Sequence, residues 1–270
     1  MNSSVELAAR VESEIRRKVV SDQANIPTSL DNIVLSLCAQ ARTTDLSAPA
    51  VALLTTVDGH RGRPRFVTFA DRIAERHIRG VWELTGAQQA CQQGMYCPIQ
   101  WRGLNLFKSA TDLAIYAMLL SELRPQTILE VGSTAGSVTW FLDMITVFSL
   151  TTEIVSIDLN IVNVADRRLR TVFGDCTEED GPFANVDLAS CGHPWLVLED
   201  AHVGVINTLA AADRYVECGD YLVVEDSSSK QNAIGEFLGR AQHRYLVDTR
   251  YADYFGRNSC SSADSIFRIG

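Results

Sequence analysis

The sequence predicts an α/β fold, a Rossmann-like sheet with helices on both faces, preceded by a helical N-terminal extension. Three observations carry this. After Tyr116, short runs rich in Val, Ile and Leu alternate with helical segments, the signature of βαβ units. The runs are apolar almost throughout, as strands covered on both faces of a parallel sheet are. Ahead of them, the first stretch of chain carries apolar residues at helical spacing among charges. The expected division is an extension over residues 1–95, helical and then irregular, and a sheet domain over 96–270.

In chain order, Val5 to Val20 and Leu30 to Ala41 read as amphipathic helices, the second behind a Thr28 to Asp31 turn suited to capping it. Their apolar faces are expected to pack on another subunit or over the substrate cleft. Thr55 to Gly94 holds Asp-Gly, Gly-Arg-Pro and scattered arginines and reads as irregular structure. The strand candidates are Thr127 to Gly132, Glu153 to Leu159, Leu169 to Gly174, Trp195 to Glu199, Asp220 to Glu225, Tyr245 to Thr249 and Ser265 to Ile269. The first five end in acid or lead into it: Glu130, Asp158, Asp175, Asp200, and Glu225 with Asp226. Open α/β sheets bind ligands beyond the carboxyl ends of their strands. The carboxylates are therefore expected at one functional edge.

Composition excludes several classes. The 24 Lys and Arg against 33 Asp and Glu give a net charge of −9, which opposes a phosphate backbone, so no nucleic-acid partner is expected. The longest apolar run, Leu113 to Leu120, falls far short of the roughly 20 residues of a membrane span, and no membrane partner is expected. The N-terminus is charged throughout and lacks the apolar core of a secretory signal; a cytoplasmic location is the expectation. Seven cysteines without a CxxC pair read as buried free thiols, not as a disulfide frame or zinc knot. Of the cationic residues only Lys18, Lys108 and Lys230 are lysines, and Lys108 reads as a solvated helix-surface residue.

The segment Ile128 to Val138, ILEVGSTAGSV, sets Gly132, Ser133 and Gly136 between a strand and a helix, where small residues let a ligand approach backbone. A tight turn without a ligand fits the same pattern. Asp158, ending the second strand, is placed to accept the ribose hydroxyl protons of a nucleoside. A dinucleotide is disfavoured, because Thr134 stands where its central glycine belongs and Glu130 would repel a pyrophosphate. S-adenosylmethionine (SAM), with an amino group and a sulfonium, suits Glu130 better. Asp175, in Phe173-Gly-Asp-Cys-Thr177, could accept from an adenine amino group or simply form a turn.

The fourth strand runs into Glu199-Asp-Ala-His202 and the fifth into Glu225-Asp226. Neighbouring acids repel unless a cation or proton lies between them, and Mg²⁺ with oxygen ligands would resolve this; helix capping by Asp200 and Asp226 is the plainer use. Glu199 is expected on the opposite side of its strand from Asp200, where its loss would matter little. None of the five histidines begins an HxD or HxE pair, and neither a GxSxG elbow nor a P-loop is present. These absences argue against the common non-haem iron triad, an α/β-hydrolase and a nucleotide-triphosphate enzyme.

Together with these sites, Pro98-Ile-Gln-Trp-Arg-Gly-Leu104, Lys108, Glu122 to Gly132, Trp140-Phe141, Gly174-Asp-Cys176, His193-Pro194, Asp200-Ala-His202, Gly219-Asp-Tyr221 and Val224-Glu-Asp226 resemble the cephalosporin hydroxylase family over about residues 96–230. The resemblance implies a class I, SAM-dependent O-methyltransferase with Mg²⁺ near the methyl donor, acting on secondary metabolites or sugars. It also implies Glu130, Gly132 and Asp158 as cofactor residues and Asp200, Glu225 and Asp226 as metal ligands. The chain departs from the family at Ala135-Gly136, where members usually have Gly-Gly, and at Val203, where a second histidine is common.

The expected function is Mg-assisted O-methyl transfer to a hydroxyl of a small natural product, with His202 as the base and Lys108 a weaker alternative. A homo-oligomer is expected. Two rivals share the sequence features: a SAM-binding cyclase or rearrangement enzyme that transfers no methyl group, and a noncatalytic partner of an oxygenase.

Overall fold

The computed structural model describes residues 3–21, 29–60, 64–74, 86–178 and 181–270. They form two compact units, one of the described residues up to Pro64 and one of those from Arg65 onward.

In the first unit, α1 (Ser3–Ser21), α2 (Ser29–Gln40) and α3 (Ala48–His60) share a core of Val11, Ile15, Val34, Cys38, Leu54 and Val57. The two amphipathic helices read from the sequence are present. Their apolar residues pack on one another and on α3. Thr28, the start of the expected cap, lies outside the described residues.

The second unit opens with β1 (Phe66–Val67), α4 (Phe69–Ala74) and α5 (Gly86–Gln92). Residues 65–74 and 86–95, which sequence reading gave to the irregular end of the extension, thus sit in the sheet unit and include regular elements. Long-range pairing explains this. β1 runs antiparallel to the strand at Tyr245–Asp248, and the Arg65 guanidinium donates to Asp248 at 2.8 Å. Arg72, almost wholly buried, pairs with Asp253 at 2.7 Å and with Asp264. A hairpin follows, β2 (Ile99–Trp101) and β3 (Leu104–Leu106), turned at Arg102 and Gly103, both with φ positive (50° and 80°), as a two-residue type I′ loop requires.

The sheet domain proper comprises α6 (Ala110–Leu123), β4 (Thr127–Val131), α7 (Ala135–Val147), β5 (Glu153–Asp158), β6 (Leu169–Phe173), β7 (Trp195–Glu199), α8 (Val205–Asp213), β8 (Tyr221–Val224), α9 (Gln231–Leu238), β9 (Tyr245–Asp248), α10 (Thr249–Ala252) and β10 (Ile266–Ile269). Every strand read from the sequence is there. The eight-stranded order is β1-β9-β10-β8-β7-β4-β5-β6; β6-β5-β4-β7-β8 is parallel, and β10 enters antiparallel between β8 and β9. Ile128, Leu196, Leu198 and Val223 face α6 and α7 in one core; Leu129, Val131, Val197, Leu222 and Val224 face α8 and α9 in the other. With both faces covered, β4, β7 and β8 are buried along their whole length.

The chain leaves β4 toward β5 and β6 on one side and returns to β7 and β8 on the other, so the switch point lies between β4 and β7, where open sheets form their ligand crevice. Cys38, Cys176, Cys191 and Cys260 are buried free thiols as expected, whereas Cys91, Cys97 and Cys218 are exposed. Among the described residues no helix is long and apolar enough to cross a membrane.

Candidate active site

Two neighbouring strand ends, those of β7 and β8, meet beside the switch point. Asp200 follows β7 and Asp226 follows β8, with His202 two residues beyond Asp200. His202 Nε2 lies 3.6 Å from Asp200 Oδ1 and 3.6 Å from Asp226 Oδ2. One ligand atom from each of the three falls within 4.8 Å of the others. His202 and Asp226 both hold left-handed backbone, φ 62° and 47°, a region that non-glycine residues enter at a cost and that clusters at functional sites. Asp226 occupies the cap position of a 3₁₀ turn yet gives it no side-chain hydrogen bond, so capping does not explain it.

Glu225 is not in this group. Its Oε1 is held by Lys108 Nζ at 2.6 Å and by the Tyr116 hydroxyl at 2.6 Å, beneath the edge and almost wholly buried. Of the expected ligand set of Asp200, Glu225 and Asp226, the structure brings Asp200 and Asp226 together beside His202 and holds Glu225 on Lys108 and Tyr116. Consecutive residues at a strand end point apart, and the turn at Asp226 separates them further.

Lys108 is the residue whose surroundings sequence reading misjudged. Far from solvated, it is 2% exposed, and besides Glu225 it lies 3.2 Å from Asp200 Oδ2 and 3.4 Å from Glu130 Oε1. A capping box places it: Ser109 accepts from the Asp112 N–H at 3.1 Å, Asp112 accepts from the Ser109 N–H at 3.3 Å, and α6 therefore starts directly after this pair of residues. Burial alone would lower its pKa, but Glu225, Asp200 and Glu130 outweigh burial and hold it well above the usual lysine value. It stays protonated and is no base. Burial raises Asp200 to about 6 against the pull of Lys108, and raises Glu225 and Glu130 as well.

The expected cofactor residues divide. Glu130, fully buried, accepts from Ser137 Oγ and pairs with Lys108, while its Oε2 has no hydrogen-bond partner; it faces the protein interior rather than an open cleft. Gly132 and Gly136 make room for the chain's own backbone. A Cβ on Gly132, at φ 84°, would stand 2.6 Å from Ala201, and one on Gly136 would stand 2.1 Å from Asn105 O in β3. Ser133 is buried and hydrogen-bonded to Ser156. Asp158, half-buried at the end of β5, accepts from the Asn160 N–H at 2.7 Å. Asp175 forms a turn, accepting from the Thr177 N–H at 2.8 Å and hydroxyl at 2.7 Å, and the hydroxyl bond leads in holding its pKa below the usual range. Beside Asp158, the apolar Leu159, Ile161 and Phe173 are all more than half exposed on the same edge.

Glu199 also departs from expectation. It does lie on the other face of the sheet, but it is fully buried and paired with Lys230 Nζ at 2.8 Å.

Residues 93–173 match the model of the family described as Rhamnosyl O-methyltransferase/CmcI. A solved CmcI structure with SAH is similar at 26% identity, with a TM-score of 0.52 over 77% of this chain and 94% of that one. Another, with Mg-SAM, is 23% identical, with a TM-score of 0.55 over 86% and 99%. None of the curated proteins compared is similar to the chain. The matched segment, the sheet order and the acidic switch point together bear out the resemblance to the cephalosporin hydroxylase-like family and identify the fold as that of class I SAM-dependent methyltransferases.

Proposed function

We propose that the chain is a SAM-dependent, Mg²⁺-assisted O-methyltransferase that acts on a hydroxyl of a small secondary metabolite. The observation that carries this is the meeting of Asp200, His202 and Asp226 beside the switch point of a methyltransferase sheet. The donor set fits a hard divalent ion, which takes carboxylate oxygens and keeps several waters. Asp200 and Asp226 are the proposed ligands. The similar CmcI structure with Mg-SAM supports both cofactors.

An ion there would lower the pKa of an acceptor hydroxyl and orient its oxygen. His202, 56% exposed by side chain and 3.6 Å from both carboxylates, takes the acceptor's proton on Nε2 and passes it to solvent. Asp158 accepts from the ribose hydroxyls of the methyl donor, and Leu159, Ile161 and Phe173 offer apolar surface to its adenine. Ser133 and Asp175 border the same strand ends. Gly132 and Gly136 act indirectly, by letting Ala201 and Asn105 close on the β4–α7 turn. Glu130 acts through Lys108 and Ser137, without touching the ligand.

The test is mass spectrometry of candidate hydroxylated natural products incubated with the protein, SAM and Mg²⁺, together with S-adenosylhomocysteine release. Methylated product that disappears with excess EDTA is expected, while calorimetry still detects SAM. Asp158→Ala should weaken SAM by roughly 1.5–3 kcal/mol, the worth of a hydrogen bond to a charged group. Full turnover in EDTA, or unchanged SAM affinity in that variant, overturns the respective assignment.

A further inference from the structure

Two serine-rich stretches, Ser227-Ser-Ser229 and Ser259-Cys-Ser-Ser262, have no part in the chemistry so far, and the fold brings them together beside the acidic edge. The Ser227 N–H donates to Ser261 O at 3.1 Å, and its hydroxyl donates to Ala263 O at 3.0 Å. The Ser261 N–H donates to Asp112 Oδ1 in α6 at 3.0 Å. Both backbone polar atoms of Ser261 are therefore fixed, yet its buried hydroxyl oxygen has no hydrogen-bond partner among the described residues. A buried polar group is held at a cost until something completes it. Ser261 lines a cleft of about 290 Å³ together with Asp226, Ser228, Ser229, Ser109, Gln93 and Ala90.

Ligand pockets are mostly apolar with a few polar groups. This cleft reverses the proportion: four serines, an amide and a carboxylate line it against a single alanine, and none of its lining residues is cationic. Its volume lies near the lower end of the roughly 300–1,000 Å³ of ligand clefts, room for one small ring. An anionic group would meet Asp226 and no positive side chain. An uncharged group with hydroxyls would meet hydroxyls and an amide, which both donate and accept. Asp226 belongs to this cleft and also to the group with Asp200 and His202, which sets the cleft next to the hydroxyl that reacts. We propose that the cleft is the acceptor subsite, that it takes an uncharged, hydroxyl-bearing ring, and that Ser261 Oγ is a specificity-determining contact to a hydroxyl neighbouring the one methylated. The proposal rests on the methyl-transfer reading above and deepens it. A site built around a buried polar group rejects a ligand that leaves that group unpaired.

The test is saturation-transfer NMR of the full chain with S-adenosylhomocysteine and Mg²⁺, titrated with methyl gluco-, galacto- and mannopyranoside and with the matching methyl uronides, which carry a carboxylate on the same ring. At least one neutral glycoside binds, and its uronide binds at least fivefold more weakly. Ser261→Ala weakens the glycoside at least threefold and leaves Tm unchanged, because it removes no hydrogen bond within the chain. Ala90→Leu, which narrows the cleft from the exposed side of α5, weakens the glycoside at least tenfold while calorimetry of S-adenosylhomocysteine stays as in the wild type. Binding of no glycoside, a uronide that binds as tightly as its neutral partner, or an affinity within twofold of wild type in either variant overturns the inference. Calorimetry with SAM separates the two readings. No SAM binding overturns the methyl-transfer reading and with it the cleft's role as acceptor subsite, whereas SAM binding together with any of those glycoside results overturns this inference alone.

Discussion

Replacing Glu199 by Gln tests how strongly the buried ion pairs hold the sheet. The carboxylate is fully buried at the end of β7, with Oε2 2.8 Å from Lys230 Nζ and Oε1 accepting from the Ala201 N–H at 3.2 Å. Lys230 is itself 5% exposed by side chain. Glutamine keeps the volume and one acceptor but leaves the ammonium without a counter-charge in a dry site. Breaking such a pair from one side costs about 3–5 kcal/mol, a large part of the roughly 5–15 kcal/mol that holds a domain folded. At roughly 2–4 °C per kcal/mol for a domain of this size, Tm should fall by about 6–20 °C. Urea denaturation of Glu199→Gln, Lys230→Met and the double variant measures the coupling. The double variant should lose well under the sum of the two single losses, because it removes both charges together. A Glu199→Gln protein within about 0.5 kcal/mol of wild type, the range of ordinary surface substitutions, would refute the reasoning and restore Glu199 as a bystander.

Two further outcomes follow from the same geometry. Gly136→Ala puts a Cβ 2.1 Å from Asn105 O, so β3 must shift; a loss of about 1–3 kcal/mol, typical of overpacking, should appear in urea denaturation even with no cofactor added. Divalent-ion binding should depend on pH through Asp200, raised to about 6: the ion needs the ionised carboxylate, so Mn²⁺ affinity is level above that value and falls as pH drops through it, as titrations at several pH values would show.

The parallel strands were legible because β4, β7 and β8 are buried on both faces, which leaves an unbroken apolar run that no helix period imitates. The gathering of acids at one edge followed from strand direction alone. What sequence could not supply was the partner of each group. Gly132 and Gly136 announce that something approaches the backbone, but a ligand and the chain's own Ala201 or Asn105 leave the same mark. Lys108 sits in a short polar stretch ahead of a helix, which locally reads as surface; its burial is set by Glu130, Asp200 and Glu225, brought from three distant strand ends. One signal was available for Glu225, since strand alternation sets it and Asp226 on different sides.

The two buried lysines answer the question posed by so many acids at one edge. Left alone, neighbouring buried carboxylates would take up protons, and the edge would offer a ligand little charge. Lys230 matches Glu199 on the face covered by α8 and α9, and Lys108 matches Glu130, Glu225 and half of Asp200 on the face covered by α6 and α7. The acids deepest in the sheet thereby each face a buried lysine. Those left turned outward are Asp158, the second oxygen of Asp200, and Asp226, and they are the ones whose positions suit a nucleoside and a divalent ion. Matched charge inside and unmatched charge outside is what separates the residues that build this edge from those that use it.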